Sequence, residues 1–295
     1  MSGVDVRGVR IEFEVHGPDD ATAMLLLMGL GAQLVAWPPD LVRMLLDAGF
    51  RVVVMDNRDV GLSSKTPGPP VGDADILGGF VHRRMTHPDY LLSDMAEDAA
   101  GVLAHLGIER AHLVGVSMGG MIAQQLTIDR PDLVLSLTSV MSNSGDRHHG
   151  LVSPSLAPSF IRNLRATRPR TTAGAVAAGV ASFGLIAGPH FDPDEVAVMI
   201  RAAIARDMTT TGTAHQLVAV NASPDRTPGL RQVRVPTLVV HGLLDRLVRP
   251  SGGIATARAV PGSRLVMFPD MGHDLPRPRR GELAAAIVHN ATRAS

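Results

Sequence analysis

The chain has 295 residues, of which 45% are hydrophobic and 19% charged, and its 28 Lys and Arg balance 28 Asp and Glu. This composition suits a globular protein with a sizeable core, and the balanced charge gives no field that would attract nucleic acid or an anionic membrane. The lack of cysteine excludes disulfides, thiol catalysis and cysteine-ligated zinc. No apolar run approaches the ~18 residues of a membrane helix, and the N-terminus lacks the apolar region of a signal peptide. We therefore expect a cytoplasmic protein, monomeric or homodimeric, without nucleic-acid or membrane partners.

Strand-like and helix-like segments alternate along the chain. Residues Val9–Val15 alternate polar and apolar side chains, as an edge or antiparallel strand does. Later short apolar runs are typical of strands buried on both faces. These runs are Ala23–Met28, Phe50–Met55, Leu113–Val116, Leu133–Val140, Thr237–His241 and Arg264–Phe268. Helical spacing predicts helices over Pro38–Ala48, Leu91–Leu106 and Gly119–Leu126. Repeated βα units predict the α/β class, with a mostly parallel central sheet covered by helices.

The segment 143–230 interrupts this alternation, because it shows helical spacing and no strand pattern. The four predicted helices are Leu156–Ala166, Thr172–Ile186, Pro193–Arg206 and Thr209–Asn221. In the third, Asp192 is expected to cap the helix, with Pro193 at its first position and Glu195 completing a variant of the capping box. An all-helical insertion cannot extend a sheet, so we expect it to pack over one. The predicted domains are a core of residues 1–142 and 231–295 and a helical cap of residues 143–230.

The segment His112–Met121 reads HLVGVSMGGM and places Ser117 in a G-x-S-x-G frame between a predicted strand and a predicted helix. This is the context of a nucleophile elbow, a tight turn that holds the serine in a strained backbone conformation. Gly115 and Gly119 would relieve the crowding of that turn. At the start of the helix, the N–H of Met118 would be free to meet a developing oxyanion. Taken alone, the frame also fits a glycine-rich turn with an incidental serine.

Two further polar residues follow the last two predicted strands. Asp245 lies in the loop beyond Thr237–His241, and His273 lies in the loop beyond Arg264–Phe268. Together with Ser117, these residues would all follow the carboxyl ends of parallel strands, where open α/β sheets have their binding and active sites. A histidine can take the proton of a serine hydroxyl, and an aspartate can hold the imidazole in the required tautomer. We therefore predict Ser117 as nucleophile, His273 as base and Asp245 as the acid that orients it.

Other polar residues near these loops fit structural roles better, and no metal or cofactor is predicted. An aspartate adjacent in sequence to the histidine is badly placed to orient it, and two neighbouring histidines with one nearby carboxylate make a poor metal site. The residues concerned are Asp270 and Asp274, read as turn residues; His148 and His149, with Asp146 nearby; and His241, which closes a strand.

A second oxyanion donor is expected in the loop after Ala23–Met28. This loop reads MGLGA over residues 28–32, and its glycines would let the N–H of Leu30 turn toward the site. After the next strand, in residues 56–63, Arg58 and Asp59 are predicted to be structural polar anchors.

Four motifs together resemble the α/β-hydrolase fold family over nearly the whole chain. They are MGLG at 28–31, DNRDVGLS at 56–63, GVSMGG at 115–120, and the LLD…MGH pair that ends in Asp245 and His273. Many members of that family have histidine in place of Met28 and glycine in place of Asp59. These departures, together with Trp37-Pro38, are similar to the aclacinomycin methylesterase-like branch, whose members are esterases that act on polyketide antibiotics.

The leading hypothesis is hydrolysis of a small or hydrophobic, polyketide-like carboxylic ester through an acyl-enzyme on Ser117. A serine nucleophile argues against epoxide hydrolases and haloalkane dehalogenases, which resemble this fold but use aspartate. Lactone hydrolysis, C–C bond hydrolysis and cofactor-free perhydrolysis of the haloperoxidase type stay open on the same triad, and a non-catalytic ligand receptor is a further alternative. Candidate wall residues of the substrate site, which also fit a helical core, are Trp37, Phe160, Phe183, Phe191, Met199 and Met208.

Overall fold

A computed structural model describes residues 2–156, 171–209 and 211–294. In these residues eight strands form one sheet in the order β1-β2-β4-β3-β5-β6-β7-β8. The strands are β1 (Ser2–Val6), β2 (Val9–His16), β3 (Ala23–Leu27), β4 (Arg51–Met55), β5 (Ala111–Val116), β6 (Val134–Val140), β7 (Thr237–Gly242) and β8 (Arg264–Phe268). β2 runs antiparallel to both β1 and β4, and the remaining neighbours pair in parallel. The predicted mostly parallel α/β sheet is confirmed.

Ten α-helices lie in the described part of the chain. They are α1 (Pro39–Asp47), α2 (Asp73–Val81), α3 (Leu92–His105), α4 (Met118–Asp129), α5 (Thr172–Gly184), α6 (Pro193–Arg206), α7 (Gly212–Ala222), α8 (Thr227–Leu230), α9 (Ser251–Ala259) and α10 (Arg277–Thr292). Within the same residues, none of the helices is both long and apolar enough to cross a membrane.

The sheet separates two apolar layers, because successive residues of a strand point to opposite faces. In β3, Leu25 and Leu27 pack on the face covered by α3 and α4, whereas Met24 and Leu26 pack on the face covered by α1 and α10. All five residues of β3 are buried. This explains why the central strands are continuous apolar runs instead of alternating ones.

Three elements escaped the sequence patterns: β1, α2 and the four-residue helix α8. β1 pairs with β2 through a two-residue turn in which Arg7 and Gly8 have φ values of 55° and 84°. Positive φ at both central positions is the geometry of a type I′ hairpin turn, which usually carries Asn-Gly or Asp-Gly, so Arg-Gly gave a weak signal. Helix α2 has glycine at two of its nine positions, Gly78 and Gly79, and glycine is a poor helix former.

Between β6 and β7 the described residues form α5 to α8 and no strand. Asp192 caps α6 as predicted, since its Oδ1 accepts the N–H groups of Asp194 and Glu195 at 3.0 and 3.1 Å. The expected capping box is wrong, because the Glu195 side chain instead accepts a hydrogen bond from Arg280 of α10 at 2.7 Å. The predicted helix Leu156–Ala166 lies, apart from Leu156, outside the described residues, as does Phe160.

Candidate active site

Ser117 lies in the turn between β5 and α4, in a conformation that L-residues rarely adopt. Its φ is 56° and its ψ is −119°. The backbone is held there because the Ser117 N–H donates to the carbonyl of Val140 at 2.8 Å, and its carbonyl accepts the N–H of Met121 at 3.2 Å. Positive φ in a non-glycine residue carries strain of about 1–3 kcal/mol, which the surrounding structure must offset. Met118 opens the helix, so its N–H has no partner within the helix.

The two glycines of the frame are required by space. A Cβ on Gly115 would lie 2.1 Å from the carbonyl oxygen of Gly119, and a Cβ on Gly119 would lie 2.0 Å from the carbonyl oxygen of Leu27. Both contacts are with backbone, which cannot move aside as a side chain can. The turn therefore packs directly against β3 and leaves no room for a methyl group at either position.

Asp245 and His273 form a buried hydrogen-bonded pair in the loops after β7 and β8. Nδ1 of His273 lies 2.7 Å from Oδ2 of Asp245. The other oxygen, Oδ1, accepts the N–H groups of Leu247 and Val248, each at 2.9 Å. Burial alone would raise the pKa of Asp245, but the charge of His273 and the hydrogen bonds outweigh it and hold the pKa below the usual range. The carboxylate thus stays ionised and accepts the Nδ1–H.

His241 lies beneath this pair and fits the predicted structural role. Its Nε2 lies 2.7 Å from the carbonyl of Val248 and 3.3 Å from Oδ2 of Asp245. The side chain is completely buried against Gly253 of α9. It braces the loop that carries the carboxylate.

Neither of the two aspartates adjacent to His273 pairs with its imidazole. Asp270 binds Arg279 at 2.8 Å and His190 at 2.7 Å, and the Arg279 guanidinium holds the pKa of this carboxyl well below its usual range. Asp274 accepts the N–H groups of Gly272 at 2.9 Å and Gly188 at 3.2 Å. Burial raises the pKa of Asp274. Both residues shape the loop, as turn residues do.

The loop after β3 lies directly against Ser117. A Cβ on Gly29 would lie 3.2 Å from Cβ of Ser117. Residues 29–32 form a turn in which the N–H of Ala32 donates to the carbonyl of Gly29 at 3.2 Å, and Gly31 has φ of 70°. The Gly31 N–H donates to the side chain of Gln216 on α7. Of the two central residues of the turn, this leaves Leu30 as the candidate oxyanion donor. The side chain of Met28 is buried in the apolar layer, and its carbonyl accepts from Asn57 at 2.9 Å.

Several buried polar side chains that hold these loops were not singled out from the sequence. Gln216 of α7 bonds the loop after β3, and Gln33 bonds the carbonyls of Ala203 and Asp207 at the end of α6. Arg206 donates to Oδ1 of Asp56 at 3.1 Å. For Gln216 and Arg206 the only available signal was their presence inside helical patterns, where such residues usually face water, and for Gln33 the sequence offered none.

Arg58 and Asp59 anchor the loop after β4, as predicted. Arg58 binds both oxygens of Asp98 on α3 at 2.6 and 2.7 Å. Asp59 has φ of 73° and accepts hydrogen bonds from the N–H of Thr66 and the hydroxyl of Tyr90, both at 2.6 Å. Burial and the Asp59 carboxylate raise the pKa of Tyr90, so the phenol keeps its proton and donates. The positive φ explains why glycine suits this position in the resembling family.

The candidate wall residues have different environments. Trp37 is buried in the apolar layer with Leu34 and Leu41 and is 4% exposed. Phe191 packs against Gly184 at the end of α5. The remaining described candidates are Phe183 and Met199, half-buried, and Met208, exposed. In the described ranges no three His, Asp or Glu side chains cluster so that they could hold a metal ion.

Comparison with known proteins identifies the class to which this architecture belongs. Residues 22–276 match the alpha/beta hydrolase fold, so the chain is a member of the α/β-hydrolase fold family. A rhodomycin D methylesterase of Streptomyces peucetius is 28% identical over 92% of this chain and 90% of its own. A protein assigned as a carbamate hydrolase in Variovorax paradoxus is 37% identical, over 47% of this chain and 45% of its own. The resemblance to the hydrolase family and its methylesterase-like branch is confirmed.

Solved structures agree on the fold. The enol-lactonase of Burkholderia xenovorans LB400 superposes with a TM-score of 0.75 at 23% identity, covering 99% of this chain and 100% of that enzyme. An esterase of Thermogutta terrifontis gives a TM-score of 0.73 at 24% identity, covering 100% and 99%. At such identities the likeness concerns architecture, because one hydrolase fold hosts many substrates.

Proposed function

We propose that this protein hydrolyses carboxylic esters through an acyl-enzyme on Ser117. One observation carries the proposal. A buried, ionised Asp245 holds Nδ1 of His273 at 2.7 Å, at the same end of the sheet as the strained Ser117. Nucleophile, base and orienting acid at the carboxyl ends of parallel strands are the parts that acyl transfer needs.

Acylation follows from the tautomer of the histidine. Because Nδ1–H donates to Asp245, the neutral imidazole of His273 carries its free lone pair on Nε2. That nitrogen takes the proton of the Ser117 hydroxyl as Oγ attacks the ester carbonyl. The tetrahedral oxyanion is met by the N–H groups of Leu30 and Met118, and the imidazolium formed is stabilised by Asp245. His273 then protonates the leaving alkoxide, and the alcohol departs.

Deacylation repeats these steps with water as the nucleophile. Nε2 of His273 takes a proton from water, whose oxygen attacks the acyl carbonyl, and the same two N–H groups bind the second oxyanion. Protonation of Ser117 Oγ releases the carboxylic acid. Each preorganised donor of this kind contributes about 10²–10³ in rate.

The substrate class we propose is the ester of a small alcohol, such as a methyl ester, on a hydrophobic polycyclic acid. Support comes from the methylesterase relative, which matches over 92% of this chain. We also propose that residues 143–230 act as a cap over the site. This is supported by contacts of that segment with the loops of His273 and Leu30, through Ile186 and Gln216.

The test combines covalent labelling with a substrate panel. A fluorophosphonate should label the wild-type protein at Ser117, and Ser117→Ala should abolish the label without changing the unfolding curve. The panel holds p-nitrophenyl acetate and butyrate, methyl esters of polycyclic acids, lactones, and peracid formation from acetate and peroxide. If a labelled protein turns over lactones or forms peracid but cleaves no ester, the esterase proposal fails. If folded protein takes no label, a receptor without catalysis is favoured.

A further inference from the structure

Gln216 joins the helical segment between β6 and β7 to the candidate oxyanion loop. The side chain is completely buried on α7. Its Oε1 accepts the N–H of Gly31 at 2.8 Å, and its Nε2 donates to the carbonyl of Arg58 at 2.7 Å. One amide therefore satisfies a backbone donor of the loop after β3 and a backbone acceptor of the loop after β4.

The hydrogen bond between Gly31 and Gln216 fixes the central peptide group of the turn after β3, which is the group that rotates most readily. In the turn of residues 29–32, Leu30 and Gly31 are the central residues, and φ of 70° at Gly31 is typical of a type II turn. Type I and type II turns differ by a rotation of the central peptide, here Leu30–Gly31. With its N–H held by Gln216, this peptide cannot rotate without leaving a buried N–H unpaired, which is unfavourable.

The turn is enclosed on two sides. On one, Gly29 lies against Ser117. On the other, a Cβ on Gly31 would lie 2.9 Å from Oγ1 of Thr213, one turn before Gln216 on α7. The first residue of that helix approaches the loop after β4 even more closely, since a Cβ on Gly212 would lie 2.0 Å from the carbonyl oxygen of Asp59. α7 therefore packs against both loops, and this packing fixes the position of the Gln216 side-chain amide.

We propose that Gln216 is a positioning residue for the oxyanion donor of Leu30. By fixing the Leu30–Gly31 peptide it holds the backbone around Leu30, so that the Leu30 N–H is aimed before the oxyanion forms. The inference rests on the proposed ester hydrolysis. It assigns part of the transition-state stabilisation to a residue outside the sheet domain, and such stabilisation depends on donors that need no reorganisation during the reaction.

The test compares kcat, KM and the affinity for a trifluoromethyl ketone, whose adduct with Ser117 carries an oxyanion. Gln216→Met keeps the volume and removes both hydrogen bonds. We expect kcat to fall about 10- to 100-fold, KM to change less than about threefold, and ketone affinity to fall in step with kcat. Gln216→Glu is the conservative variant, since its protonated form again offers an acceptor and a donor. Its kcat relative to wild type should rise as the pH is lowered.

Asn290→Leu is the matched control, because it also removes a buried amide. Asn290 donates to the carbonyl of Leu137 at 3.0 Å, near the amino end of β7 and away from the site. It should lower the unfolding midpoint while leaving kcat and ketone affinity unchanged. A folded Gln216→Met protein with wild-type kcat, or with lower kcat but unchanged ketone affinity, would overturn the positioning role of Gln216. Neither result would affect the proposed ester hydrolysis. A wild-type protein that neither takes the fluorophosphonate label nor cleaves esters would overturn the proposed function as well.

Discussion

The backbone N–H of His273 donates to the carbonyl oxygen of Ile186 at 2.8 Å. Two further contacts join the same segments: the Gly188 N–H donates to Asp274, and His190 binds Asp270. The loop that carries the candidate base, His273, is therefore held by hydrogen bonds to the helical segment between β6 and β7 as well as by its connection to β8. The predictions that follow concern this loop, its carboxylates and the elbow.

Gly188→Ala should disturb the histidine loop. A Cβ at this position would lie 2.7 Å from the N of Gly272 and 3.0 Å from the carbonyl oxygen of Asp270, so the two segments must separate. We expect kcat for an ester to fall about tenfold or more, because small displacements of a catalytic group have large effects on rate. Steady-state kinetics on protein with a native-like unfolding curve measures this. An unchanged kcat would show that the segment merely rests on the loop.

Asp245→Asn should nearly abolish turnover while keeping the fold. An amide can still accept from Leu247 and Val248, but it no longer stabilises the charged imidazole or selects the Nδ1–H tautomer of His273. A loss of about 10⁴ in kcat is expected for this change in a serine hydrolase. Stopped or continuous ester assays measure it, with fluorophosphonate labelling as an independent reading of nucleophile activation.

Asp270→Asn is the matched control for that prediction. Its carboxylate is bound to Arg279 and His190 on the outer side of the loop, so kcat should stay within about threefold of wild type. If Asp270→Asn proved the more damaging change, the assignment of Asp245 as the orienting acid would be wrong.

Asp274→Asn should alter the pH dependence of stability. Burial raises the pKa of Asp274 above the value of about 3.9 expected in the unfolded chain. The protonated carboxyl therefore contributes folding stability that is fully present below this unfolded-state pKa and is lost as the pH rises through the pKa of Asp274 in the folded protein. Asparagine keeps the acceptor for Gly272 and Gly188 without titrating. Urea denaturation should therefore show a variant that is more stable than wild type at pH 7, with a flatter profile at acidic pH.

Gly119→Ala should destabilise the protein strongly. The added methyl would lie 2.0 Å from the carbonyl oxygen of Leu27 and 2.8 Å from that of Met28. We expect the free energy of unfolding to fall by about 3 kcal/mol, the upper end of what overpacking usually causes. Gly281→Ala, on the open side of α10 with no atom near the added methyl, should instead gain up to about 1 kcal/mol. Denaturant unfolding of both variants gives the comparison.

The sheet and the elbow could be predicted because their signals are local. Apolar runs such as Ala23–Met28 and the alternation of Val9–Val15 depend on residues a few positions apart, and the observed strand bounds differ from the predicted ones by one or two residues. β1, α2 and α8 were missed where the local signal was weak, at an Arg-Gly turn, in a helix with two glycines and in a helix of only four residues. Glu195 was assigned to a local capping box, but a distant arginine competed successfully for its carboxylate.

By itself, the sequence determined most of the strands and helices in their order, the G-x-S-x-G frame and the succession of Ser117, Asp245 and His273. The sequence predicted Asp245 over Asp270 from its position in a loop, but the contact itself came only from the tertiary structure, where Asp245 meets His273 across 28 positions while Asp270 binds Arg279. The same holds for Gln216 and Gly31, which are 185 positions apart. The physical reason is that hydrophobic periodicity and turn chemistry act between near neighbours. A hydrogen bond between distant residues depends on how whole elements pack and leaves no mark in either local sequence.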